Sequence, residues 1–139
     1  MQHTTTQPRI AAITQTHQTV FKKSTFVIAL SGLGGLTILA GVVSLISAIV
    51  LLSNAATPGL SRIILMDALF DMTIGALIIA SSRAFAKGKM LAIWLYGGSI
   101  FLDSLYSLIM GYELHYIFMG LGFLVIWQML KFRKEWEAS

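Results

Sequence analysis

From Phe26 to Leu52 the chain runs 27 residues without a charge or a proline, and three further apolar stretches follow it. A helix rises about 1.5 Å per residue, so the first run exceeds the ~20 residues needed to cross ~30 Å of hydrocarbon. The later stretches, about 61–82, 90–110 and 115–130, approach the same length. None alternates apolar with polar residues as a membrane barrel strand does. In lipid each backbone group must be paired within its own helix or in a closed barrel, which leaves helices.

Composition supports this reading: 56% of the 139 residues are hydrophobic, 12% are charged, and the mean hydropathy is +0.78. A soluble domain of this size has too little interior to hide so much apolar surface. The expected fold class is therefore all-α: a polytopic membrane protein built as a four-helix up-down-up-down transmembrane bundle. Residues 1–24 are expected to form a polar cytoplasmic tail, 25–131 the transmembrane domain (spans about 26–52, 61–82, 90–110 and 115–130), and 132–139 a short cytoplasmic tail. The Thr- and Gln-rich first segment reads as a mobile tail, with a weak surface helix carrying Ile10, Ile13, Val20 and Phe21 as the alternative. The first span is too long for a signal-peptide core of ~7–15 residues and reads as a retained helix.

Basic residues give the expected orientation. Nine of ten (Arg9, Lys22, Lys23, Arg83, Lys87, Lys89, Lys131, Arg133 and Lys134) fall on one side of that topology, and only Arg62 falls on the other. Because positive loops stay cytoplasmic, both termini are expected inside, in the plasma or inner membrane. The same distribution argues against nucleic acid as partner, since the net charge of +4 is spread over helix ends rather than one soluble face.

The chain has no cysteine, which excludes disulfides, thiolate metal sites and cysteine nucleophiles. Its histidines, His3, His17 and His115, lie outside the spans or at a span end, so a bis-histidine haem has no ligands. Gly32-Leu33-Gly34-Gly35 lacks the lysine and strand of a phosphate loop. No cofactor, metal or catalytic residue is expected, and the chain reads as non-enzymatic.

Three acids stand inside predicted spans: Asp67 and Asp71 on the second, Asp103 on the third. Burying one at mid-helix costs about 2.5–3.5 kcal/mol, so each is expected to face the bundle. Counting inward from the helix ends puts Asp67 and Asp103 at one depth, where the two are expected to meet. Tyr96, Ser99, Asp103 and Tyr106 share a helical stripe, and Arg62, Glu113 and His115 lie near the outer mouth. Three readings compete for the cluster Asp67, Asp71, Asp103, Tyr106, Arg62 and His115. It fixes helix register through buried polar bonds, with Arg62 reaching Asp67 or Asp103; or it lines a wet cavity that binds a proton or cation; or Asp67, Asp71, Asp103, Glu113 and His115 serve a hydrolytic or metal enzyme, with oxygen ligands for a hard cation but, with one histidine, a poor set for a transition metal.

Gly34, Thr37, Gly41, Ser44 and Ala48 recur at steps of three and four and are expected to form a helix-packing seam. A face of the fourth span, Tyr116, Gly120, Phe123 and Trp127, is the expected complement to it. The reading is of a small multi-pass membrane protein acting through helix packing or assembly with other membrane proteins. The alternative is a proton- or cation-coupled small transporter using the aspartates. Expected partners are membrane lipids and either further copies of the chain or a larger membrane complex.

Overall fold

The computed structural model describes the backbone of residues 7–53, 58–113 and 116–137, and the side chains of 22–53, 59–113, 116 and 119–134. The described residues form four helices, α1 (Gln7–Ser53), α2 (Pro58–Ala86), α3 (Leu91–Met110) and α4 (Tyr116–Glu137). Among the described residues three segments, Lys22–Ser53, Gly59–Ala86 and Leu91–Met110, are long and apolar enough to cross a membrane. The fourth expected span falls on α4, which is not among those three.

The helices outrun the expected spans for local reasons. α1 begins at Gln7, well before residue 26, so the segment expected as a mobile tail is helical from there on. No glycine or proline interrupts 9–31, and Pro8 sits in the first turn, where its missing N–H costs nothing. Extending an existing helix needs no new nucleus. α2 passes Ser82 because its stop signal is Gly88, whose φ of +66° only glycine adopts freely. The Gly88 N–H reaches the Phe85 carbonyl and the Lys89 N–H the Ala84 carbonyl, each at 2.9 Å, which closes a Schellman cap. Gly111, with φ +72°, ends α3 in the same way, its N–H on Leu108 and that of Tyr112 on Ser107.

α1 and α2 make the most extensive contact, α3 packs on α2, and α4 packs more sparsely on α3. Glycine sets how close the first pair comes. A Cβ built on Gly34 would stand 2.8 Å from the Gly75 carbonyl oxygen, one on Gly75 2.7 Å from that of Gly34, and one on Gly41 2.8 Å from that of Ala68. Partner numbers fall along α2 as they rise along α1, so the two helices run antiparallel. The buried line on α1 is Gly34, Gly41 and Ala48, and the facing line is Ser61, Ala68, Gly75 and Ser82, each spaced by seven. Small residues repeating every seven positions suit a left-handed crossing, which keeps one stripe in contact along its whole length.

At the Lys- and Arg-bearing end, Phe26, Phe85 and Phe132 join α1, α2 and α4. Their ring centroids lie 5.1 Å (Phe26–Phe85), 5.8 Å (Phe26–Phe132) and 5.7 Å (Phe85–Phe132) apart. Aromatic pairs at such distances gain about 0.5–1.5 kcal/mol beyond area burial. Phe132, placed by the sequence in a terminal tail, is therefore part of the core, and α4 continues past it to Glu137.

Candidate functional site

At the opposite end from the phenylalanines, Asp67 ties three segments together. Tyr106 of α3 donates its hydroxyl to one carboxylate oxygen at 2.5 Å, and Tyr112, just beyond α3, donates to the other at 2.9 Å. The Tyr106 ring stacks on Phe70 of α2, with centroids 4.0 Å apart and planes 13° from parallel, so its hydroxyl is aimed before it bonds. Tyr112 is aimed by the Gly111 cap, which turns the chain back toward α2. Its hydrogen bond to Asp67, aided by partial desolvation, holds the Tyr112 phenol above the ordinary tyrosine range.

Asp71 and Asp103 occupy a different place. Both line a cavity of about 190 Å³ between the helices, together with Thr37 of α1, Tyr96 and Ser99 of α3, and Met119 of α4. Asp71 is half-buried and Asp103 exposed, while Tyr96 and Ser99 are buried. The Ser99 hydroxyl donates to the Tyr96 carbonyl at 2.7 Å. Thr37 turns its hydroxyl back onto the Leu33 carbonyl at 2.9 Å. The cavity thus presents two carboxylates and a phenol among apolar walls.

The expected meeting of Asp67 with Asp103 gives way to a different register. Counting from helix ends assumes that the ends are level. α2 instead runs on to Ala86, and the tight 87–90 turn sets Ala92 against Ser81, whose hydroxyl donates to the Ala92 carbonyl at 2.7 Å. Carrying that register along the antiparallel pair brings Tyr106 to Asp67 and Asp103 to the level of Asp71. Arg62 is exposed, and both oxygens of Asp67 are taken by phenols rather than by its guanidinium. Glu113 is exposed, and His115 lies outside the described residues.

Of the packing residues, Gly34, Gly41 and Ala48 face α2, whereas Thr37 and Ser44 stand half-buried beside that line. The face of α4 carrying Tyr116, Gly120, Phe123 and Trp127 is exposed, so α2 and not α4 fills the glycine seam. A physical reason is at hand: large rings would hold the helices apart, while the small line of α2 lets both backbones approach. Two polar links went unread in the sequence. Ser31 and Ser82 share a hydrogen bond between α1 and α2, and Ser81 bonds the start of α3. Serines in apolar helices carry no spacing signal, but Ser82 belongs to the seven-residue line of small residues, and that period was available.

Among the described residues no buried side-chain polar atom lacks a partner, and no group of three or more His, Asp or Glu converges as a metal site would. No protein-family model, curated protein or solved structure matches the chain.

Proposed function

We propose that the chain is a small multi-pass protein of the plasma or inner membrane, non-enzymatic, whose four helices cross the bilayer up-down-up-down with both ends in the cytoplasm. It acts by assembling with other membrane proteins or with further copies of itself. One observation carries this reading: the outward stripe of α1, Leu36, Leu39, Val43, Ile46 and Val50, is 55–67% exposed at every position, and exposed Ser47 beside it turns its hydroxyl onto the Val43 carbonyl. A contiguous apolar face of that length needs lipid or another helix against it. Lys89 and Arg133 line one cavity beside the phenylalanine cluster, so basic residues from the 87–90 turn and from α4 gather at one end, as cytoplasmic ends do. The double satisfaction of Asp67 favours a polar tie between helices over a hydrated titrating group.

The competing reading, a carrier coupled to protons or cations, rests on Asp71 and Asp103 sharing a cavity. Because the chain has no cysteine, single cysteines at 67, 71 and 103 separate the two. A membrane-impermeant thiol reagent applied to intact cells is expected to leave all three unlabelled in inserted protein. Labelling at 71 and 103, with ion flux lost in Asp71→Asn and Asp103→Asn, would overturn assembly in favour of transport. A photo-crosslinker at Val43 tests assembly directly and is expected to give a discrete adduct from intact membranes. A smear, or lipid adducts alone, would count against it.

A further inference from the structure

Ala76, Ala80 and Arg83 on α2, and Lys87 just past its end, succeed one another at steps of four, three and four, and all four are exposed. They form one stripe in which a trough of methyl groups leads to two cations. Lys89, carried round by the left-handed Gly88, borders the same groove, whose wall includes Ile79 and whose volume is about 450 Å³. That volume lies within the ~300–1,000 Å³ of small-molecule clefts. No aspartate or glutamate occurs between Asp71 and Asp103, so the helix ends and turn that build the groove bring no counter-charge of their own. A fitting ligand must set a compact anion among three cations and run an apolar chain along the alanines toward the middle of α2.

We infer that this groove binds one anionic phospholipid, with its phosphate held by Arg83, Lys87 and Lys89 and an acyl chain lying along Ala80 and Ala76. The guanidinium supplies a planar fork for two phosphate oxygens, and the lysines supply point charges. The inference rests on the membrane reading above and adds to it a defined lipid class and place. The other basic surface, Lys131, Arg133 and Lys134 beside Trp127, serves as the internal control.

The purified full-length chain in detergent is mixed with equal amounts of phosphatidylglycerol and phosphatidylcholine carrying identical acyl chains, and retained lipid is counted by native mass spectrometry. One phosphatidylglycerol is expected to be kept roughly tenfold over phosphatidylcholine. The variant Arg83→Gln with Lys87→Gln and Lys89→Gln is expected to lose that preference, and Lys131→Gln with Arg133→Gln and Lys134→Gln to keep it. Equal retention of the two lipids by the unaltered chain overturns the site whether or not the variants fold. So does a preference that survives the groove variant, or that the control variant loses as fully. Alkaline extraction of membranes keeps the two levels apart: a chain that washes off sinks the membrane reading, whereas one that stays and shows no preference sinks the lipid site alone.

Discussion

Asp67 is where one residue holds the most structure. Its two acceptor oxygens take two phenols, and the two bonds differ in surroundings: Tyr106 is half-buried and stacked on Phe70, while Tyr112 is 42% exposed. A bond to a carboxylate contributes about 1.5–3 kcal/mol when shielded, against ~0.6 kcal/mol for an average interhelical bond in a membrane. Tyr106→Phe is therefore expected to cost about 1–2 kcal/mol in reversible unfolding from mixed micelles, and Tyr112→Phe less than ~1 kcal/mol. The opposite order would mean that the exposed bond is the stronger tie. Tyr112 also sets a pH dependence. Its pKa is raised in the folded chain, so its contribution is complete below the unfolded value of about 10 and is lost as pH rises through the folded one. The stability gap between the unaltered chain and Tyr112→Phe should narrow across that alkaline window, and a gap that widens there would refute the assignment. The sequence marked Asp67, Asp71 and Asp103 as residues too costly to face lipid, and Tyr106 as a member of the polar stripe around Asp103. It placed Tyr112 where interfacial aromatics fall but gave it no bond to Asp67, because a residue beyond a helix reaches back only through the Gly111 cap.

Between elements, the glycine contacts of α1 and α2 make a sharper test, because one substitution has opposite consequences at neighbouring places. Gly75→Ala drives a methyl to 2.7 Å from the Gly34 carbonyl oxygen and 2.6 Å from Ile38, and backbone cannot swing aside as a side chain tip can. Overpacking of this sort costs about 1–3 kcal/mol. Gly35→Ala meets open space and, by removing a flexible residue from a helix, is expected to be neutral or to stabilise by up to ~1 kcal/mol. Equal effects of the two, measured as detergent unfolding free energies, would mean that α1 and α2 do not pack along the seam. Helix positions were legible because long apolar runs admit one backbone solution: α3 spans Leu91–Met110 where 90–110 was expected. Which helix fills which seam was less so. Steps of three and four drew Thr37 and Ser44 into the line, whereas the contact follows steps of seven through Gly34, Gly41 and Ala48. Only contact with the partner helix along its whole length selects the longer period.

At the scale of the whole molecule, α4 decides the number of crossings. From Tyr116 to Leu130 it offers only about 22 Å of apolar length, short of ~30 Å, but the full 22-residue helix reaches ~33 Å. The difference lies in its last turns, where Lys131, Arg133 and Lys134 follow. Long basic side chains extend toward headgroups and cover such a shortfall. Phe132 adds a constraint, since its contacts with Phe26 and Phe85 hold this end of α4 beside the start of the apolar part of α1 and the end of α2. If α2 ends at the cytoplasmic surface, α4 ends there too, and four crossings follow. Reporter fusions that are active on only one side of the membrane, placed after Ser139 and within the 87–90 turn, should then report the same compartment. An N-terminal fusion should agree with both. Agreement of the N-terminal and 87–90 reporters alone, with the C-terminal one opposite, would leave three crossings and place α4 flat on the outer surface, detached from the phenylalanine cluster. Phe132→Ala tests the link independently. Freed from Phe26 and Phe85, the end of α4 loses its tie to the cytoplasmic side, so the C-terminal reporter is expected to become mixed while the other two hold.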